Sequence, residues 1–280
     1  MKSFKEFKGV TSEFWAFVRF VSETLGYSER GMNVVKEYSF EEIAEVCDKY
    51  NVNASQKLIE NAVFYSKLRA GLLNNFVESM LMDAQQANSE FLNWEQLHRI
   101  NSYMCKLPFN KQKGPMRQIA FFTSIINIIA EKTIREVTGI TSELGFDDDP
   151  RSLTYIWDDE RHIIGATSRR FDGAYPNTES PKLVWEIKEY YYNTTFGSRI
   201  ADGVYETQLD GFEFNEIYDR TGHKVYHVLF IDAYHTWWNK GKSYLCRLVD
   251  ALNSGAVDEV IVGREVLTRW PQLLREIILG

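Results

Sequence analysis

Apolar and polar positions alternate between residues 185 and 188, at the end of an extended run that starts at Leu183. Leu183, Trp185 and Ile187 fall on one face of a strand, and Val184, Glu186 and Lys188 fall on the other. A strand-breaking cluster, Pro176-Asn177-Thr178-Glu179-Ser180-Pro181, joins this run to an earlier extended stretch that ends at Asp172. Elsewhere the spacing is mostly helical. Ser39-Phe40-Glu41-Glu42 is a capping box ahead of a helix that carries Ile43, Val46 and Cys47 on one face. A second helix is expected from Ala54-Ser55 onward, with Leu58, Ile59, Ala62, Val63 and Tyr65. With the Asn51-Val52-Asn53 connection these two resemble a helix-turn-helix unit. The second helix is not rich in arginine, however, which favours a plain helical bundle.

Residues 110–115 are polar, with Gly114-Pro115 as punctuation, and divide the chain into a helical N-terminal region (1–110) and a second domain (111–280). In the second domain the pattern predicts a helix over 116–137 and strands over 153–157, 162–172 and 183–191. A helix near 198–214 and a strand over 224–233 follow. Three further elements close the chain: a helix near 237–253, a strand over 259–262 and an amphipathic helix over 268–279.

The expected hairpin sends Asp172, Glu186 and Lys188 into one small volume. Two carboxylates there can bind a hard divalent cation through oxygen, and an ammonium beside them can act on a phosphate. Glu6-Phe7-Lys8 repeats the Glu-x-Lys spacing but has neither an upstream aspartate nor a strand context, so it is not expected to be a site.

Asp172 followed by Glu186-Ile187-Lys188 resembles the motif of the PD-(D/E)xK nuclease superfamily, an acidic residue, a spacer and then Asp/Glu-x-Lys. Phe171 stands where the name-giving proline would be. The resemblance covers most of residues 115–235 and implies the restriction-endonuclease-like α/β fold. Its α-β-β-β-α-β core would have a mixed central sheet, here preceded by an all-helical N-terminal region. It also implies a Mg²⁺-dependent deoxyribonuclease, with Mn²⁺ as a substitute, most like a type II restriction endonuclease acting on double-stranded DNA. Asp172, Glu186 and the backbone carbonyl of Ile187 would hold the metal, and Lys188 would orient the attacking water. A further glutamate on the helix before the first strand is implied; Glu131 is favoured over Glu136 because it adjoins the apolar run over 125–130. Some relatives carry a glutamine and a tyrosine on the following helix, which points to Gln208 and Tyr205. Dimerisation or target recognition would fall to the helical N-terminal region, giving a homodimer. The alternatives are a structure-specific or exonucleolytic defence or repair nuclease, and a non-cleaving DNA-binding protein on the same fold.

Charge qualifies this picture. The net charge is −7, with residues 1–140 near balance and the acidic excess in 141–280, where a bound cation would offset part of it. Nucleic-acid contact must then rest on local basic patches, and Lys111, Lys113 and Arg117 at the start of the expected long helix form the clearest one. The residues Thr194-Thr195-Phe196-Gly197-Ser198 offer hydroxyls at an expected helix start, suited to phosphate or to ordinary capping. Tyr190, Tyr191 and Tyr192, and the Trp237–Lys242 segment, could stack on bases or simply pack. Three scattered cysteines, Cys47, Cys105 and Cys246, suit a reducing compartment and exclude a disulfide framework or a cysteine-held zinc. No apolar run is long enough for a membrane span, and a cytoplasmic location is expected. Nucleotide hydrolysis and Ser–His–Asp chemistry lack their glycine-rich loop and nucleophile elbow.

Overall fold

The computed structural model describes residues 1–29, 32–191 and 198–280. Its N-terminal part is helical: α1 (Ser12–Leu25), α2 (Phe40–Tyr50) and α3 (Gln56–Leu72), which runs on through a wider turn, Leu73–Val77, into α4 (Glu78–Met80). The capping box forms as expected. Ser39 Oγ accepts from the Glu42 N–H at 3.1 Å, and Glu42 Oε2 accepts from the Ser39 N–H at 2.9 Å. Phe17 and Val21 of α1, Ile43 and Cys47 of α2, and Ile59 and Ala62 of α3 bury one shared cluster, the small bundle that the sequence favoured.

The next helix, α5 (Ala84–Ile100), does not belong with that bundle. Its Ala87 and Phe91 share a core with Phe121, Ile125 and Ile129 of α6 (Phe121–Thr138), so a division at residue 110 falls inside one packed unit. Helix α6 starts at 121 and not at 116. Residues 108–120 instead fold back as a hairpin, with the Asn110 N–H on Gln118 O and the Ala120 N–H on Pro108 O, both at 2.8 Å. Gly114, in the left-handed region at φ 62°, and Pro115 make its tip, and this pairing occupies the backbone groups that an extra helical turn would need.

The expected strand over 162–172 is strand only at Ile163–Ala166, and the next strand begins at Gly173. β1 (Tyr155–Trp157) and β2 (Ile163–Ala166) form a separate two-stranded sheet. The chain then turns at Thr167, whose Oγ1 accepts from the Thr154 N–H and donates to Arg169 O. After the turn come β3 (Gly173–Tyr175), β4 (Leu183–Glu189), α7 (Ser198–Thr221), β5 (Tyr226–Asp232), α8 (Lys242–Asn253), β6 (Glu259–Val262) and α9 (Val266–Leu279). Four strands in two sheets therefore separate α6 from α7, where three in one sheet were expected.

The main sheet has the order β3-β4-β5-β6, with β3 antiparallel to β4 and the other pairs parallel. Each parallel step is made through a helix, α7 and then α8. Leu183, Trp185, Val228, Phe230 and Ile261 pack under α5, α6 and α9 on one face. Leu229, Ile231, Val260 and Val262 pack under α7 and α8 on the other. Burial on both faces explains why residues 228–231 of β5 and 260–262 of β6 read as unbroken apolar runs. Among the described residues no helix is long and apolar enough to cross a membrane.

Candidate active site

β4 carries the site because its two faces have different neighbours. Trp185 enters the α6/α9 core, which turns Glu186 and Lys188 toward α7 on the opposite face. Asp172 immediately precedes β3, and its N–H reaches Trp185 O at 3.0 Å, continuing the β3–β4 ladder by one residue. Its Oδ2 accepts from the Ile187 N–H at 2.8 Å. Both backbone groups of a strand residue point to the same edge, so the Ile187 carbonyl also faces the edge that Asp172 occupies.

Two glycines make room for this arrangement. A Cβ on Gly173 would sit 2.0 Å from the Trp185 ring, so the residue after Asp172 has to lack one. A Cβ on Gly203 of α7 would meet Lys188 Cε at 3.3 Å, and its absence lets the lysine stem run beneath the helix.

Ion pairs knit the buried face. Glu186 Oε1 accepts from Lys188 Nζ at 2.7 Å and from Arg169 Nη2 at 2.8 Å. Glu206 Oε2 on α7 accepts from Lys188 Nζ at 2.5 Å and Arg169 Nη2 at 3.4 Å, and Asp210 Oδ2, one turn further along, takes Arg169 Nη1 at 2.9 Å. Glu186 Oε2 and Asp210 Oδ1 are buried with no hydrogen-bond partner. Burial, and then the charge of Glu186, push the Asp172 carboxyl up to about 6. Burial likewise pushes Asp210 up to about 7. Burial, the largest single influence, would lower the pKa of Lys188, but the charges of Glu186 and Tyr190 and the hydrogen bonds to Glu186 and Glu206 together outweigh it and hold the ammonium above the ordinary lysine value. Glu206 is held below the usual carboxylate range: the Lys188 hydrogen bond and charge overcome its desolvation.

Arg169, Asp172, Glu186 and Lys188 line a cleft of about 1250 Å³ with a cationic margin of Lys106, Lys111, Arg151 and Arg170, and Glu206 and Asp210 back it from α7. Lys111, from the 108–120 hairpin, is close enough for its charge to lower the pKa of both Asp172 and Glu206. Glu189, at the end of β4, also lines it; its Oε2 accepts from the N–H and Oγ1 of Thr123, both at 3.0 Å, and so caps the first turn of α6.

Among the described residues no three His, Cys, Asp or Glu side chains stand ready to hold a metal by themselves. The set that is present does suit a hard cation. It comprises two adjacent carboxylates and a backbone carbonyl edge, and the Glu186 oxygen left buried without a donor is an acceptor that lacks a positive partner.

Other expected residues fall elsewhere. Glu131 is buried, but its oxygens accept from the N–H groups of Met104 (2.8 Å) and Cys105 (2.7 Å) and face Arg135 at 2.5 Å. It anchors the loop after α5 and does not line the cleft. The reason is axial: the sheet meets α6 at Thr123, and eight residues of helix carry Glu131 about 12 Å away. Glu136 pairs with Lys132 and Arg275 at the surface. Lys113 and Arg117 are exposed on the hairpin, outside the cleft, and the Arg117 guanidinium lies 4.9 Å from the Phe109 ring centre. Gln208 lies two residues, about 200°, round α7 from Glu206 and off the site. Tyr205 is exposed and meets Arg247 on α8. Tyr190 and Tyr191 line the cleft, whereas Tyr192, the 194–197 stretch and the side chain of Ser198 lie outside the described residues. Arg169, Glu206 and Asp210 were missed. Gly203, Glu206 and Asp210 share one face of α7 at helical spacing, a pattern visible in the sequence only once β4 is known to lie under that face.

The family model described as Domain of unknown function (DUF7690) matches residues 1–76. A second, described as Domain of unknown function (DUF7687), matches residues 82–277, which include every residue of the cleft. No curated protein and no solved structure matches the chain. The sheet, the cleft and the covering helices, save the last two residues of α9, lie within the second match, and the chain belongs to the family described as Domain of unknown function (DUF7687).

Proposed function

We propose that this protein is a divalent-cation-dependent deoxyribonuclease of the restriction-endonuclease-like kind, cutting DNA phosphodiester bonds within this cleft. The observation that carries the proposal is the meeting of Asp172, Glu186 and Lys188 at one end of the β3–β4 pair, with a buried Glu186 oxygen that no protein donor satisfies. The order of a long helix, a strand pair bearing the motif, a second helix and a parallel strand supports the same assignment. Asp172, Glu186 and the Ile187 carbonyl would hold Mg²⁺ or Mn²⁺, which when bound supplies Lewis-acid activation of a phosphate oxygen and of water. Lys188 stays protonated at neutral pH, so it acts as a donor that orients the attacking water and steadies negative charge growing on the phosphate, not as a base. Lys111 and Arg170 at the margin attract the phosphate backbone and offset the acidic floor.

The test is cleavage of plasmid and of single-stranded DNA by the purified protein with Mg²⁺, with Ca²⁺ and with excess EDTA. Discrete plasmid fragments with Mg²⁺ alone are expected. Asp172→Ala, Glu186→Ala and Lys188→Ala should each lower the rate at least about a hundredfold, the scale of removing a preorganised charge from an active site, and Glu6→Ala should not. Cleavage by Lys188→Ala at the wild-type rate, or full activity in EDTA, would remove the assignment. Smearing of single strands without plasmid fragments would indicate the exonucleolytic alternative.

A further inference from the structure

Three carboxylates converge on the guanidinium of Arg169, which lines the cleft. Arg169 Nη2 lies 2.8 Å from Glu186 Oε1 and 3.4 Å from Glu206 Oε2, and Nη1 lies 2.9 Å from Asp210 Oδ2. The carboxylates come from two elements, β4 and α7, and the arginine from a third, the turn after β2. Burying such a set without a counter-charge is costly, since each desolvated carboxylate needs a cation or donors. Even so, Asp210 Oδ1 and Glu186 Oε2 remain buried and without a donor, although both residues are over nine-tenths buried. Spare oxygens on carboxylates that already grip a cation mark a site built for more positive charge than one guanidinium carries.

We propose that Arg169 is a built-in substitute for a second divalent cation. Wild-type protein then works with one metal per chain, held on the Asp172–Glu186 side, while Arg169 occupies the Glu186–Glu206–Asp210 side. The inference rests on the metal-dependent assignment above and adds the stoichiometry and the residue that sets it. Charge supports it: four carboxylates (Asp172, Glu186, Glu206, Asp210) pair directly with two cations (Lys188, Arg169), with the Lys111 charge nearby, and a single divalent ion is enough to offset what remains. A second ion with Arg169 in place would leave the floor positive in excess. Geometry supports it too. The guanidinium fork spans the gap between Glu186 and Asp210, and a Mg²⁺ or Mn²⁺ ion that keeps some of its water can reach across a similar gap once the arginine is gone. Arg169 is thus a positioning residue, fixing Glu186 Oε1 while leaving Oε2 free for the first ion.

The experiment counts bound Mn²⁺ on the full chain, by calorimetric titration and by the electron paramagnetic resonance signal of the free ion. Wild type should bind one ion and Arg169→Ala two, and Arg169→Ala combined with Asp210→Asn should return to one. Asp210→Asn alone, an isosteric change, should keep one ion at an affinity within about threefold of wild type, because Arg169 already fills that side. If Arg169→Ala does not fold, wild type and Asp210→Asn still decide. One ion in each supports the proposal, and two in wild type falling to one in Asp210→Asn overturns it. One ion in both wild type and Arg169→Ala overturns it while leaving the nuclease assignment standing. No ion in wild type but one in Arg169→Ala sustains the substitution and removes the assigned metal on the Asp172 side. No ion in either removes both.

Discussion

Position 173 tolerates no side chain, because a Cβ there would lie 2.0 Å from the Trp185 ring, and Trp185 is fully buried against Trp270. Gly173→Ala is expected to destabilise the protein by about 1–3 kcal/mol, the range for overpacking a filled core. It should also lower cleavage, since Asp172 is the neighbouring residue. Urea denaturation gives the first number, and an unchanged midpoint would show that β3 can shift without cost. A second residue sets a pH dependence. Asp232 at the end of β5 is fully buried, and burial pushes its carboxyl from the ordinary value up to about 7, although Tyr191 and the N–H groups of Met82 and Ala233 donate to it. The native state therefore keeps this proton longer than the unfolded chain does. Its contribution to stability is fully present below the unfolded value near 4 and is lost as pH rises toward 7, at up to about 1.4 kcal/mol per pH unit. Asp232→Asn has no such loss, so its stability relative to wild type should improve between pH 5 and pH 7.5. The same difference at both pH values would contradict the raised pKa.

At the level of elements, β4 was legible because apolar and polar residues alternate from Trp185 to Lys188 and its turn is marked by two prolines. The early end of the expected 162–172 strand at Ala166 was not, since it depends on Thr167 bonding to Thr154 and Arg169 rather than on any break in pattern. The 108–120 hairpin was missed for a related reason: helix-compatible residues at 116–120 pair instead with 108–110. This moves the basic cluster off a helix N-terminus, so no helix dipole assists it, and only Lys111 of the three lines the cleft. Lys111→Ala should therefore flatten the slope of log affinity against log salt by about one unit and weaken all duplexes alike. Filter binding in Ca²⁺ across a salt series measures this, and equal slopes for mutant and wild type would place Lys111 outside the phosphate path.

Across the whole molecule the two family matches form one packed structure. Arg69 of α3 is fully buried and meets Asp250 of α8 at 3.0 Å, while Tyr65 donates to the same carboxylate at 2.6 Å. Ala70, Leu73 and Val77 share a core with Leu245, Leu248 and Leu252. Arg69→Ala strands a buried carboxylate and should cost about 3–5 kcal/mol, whereas a hydrophobic replacement of both partners should cost much less. Equilibrium unfolding of the single and double variants tests this. A loss under about 1 kcal/mol for Arg69→Ala would mean that the helical region docks without the pair.

Local order in the sequence determined the helices with caps, the β4 alternation and the Asp172, Glu186, Lys188 spacing. Each of these follows from backbone period and turn chemistry acting over a few residues. Only the tertiary structure decided which carboxylates share the ion pairs of the site. Glu131 went to the Met104–Cys105 backbone because the sheet meets α6 at its first turn, and Glu206 and Asp210 joined because α7 crosses above β4. Contacts between residues far apart in the chain depend on how elements stack, and a one-dimensional pattern of apolar and polar positions carries the faces of those elements but not their partners.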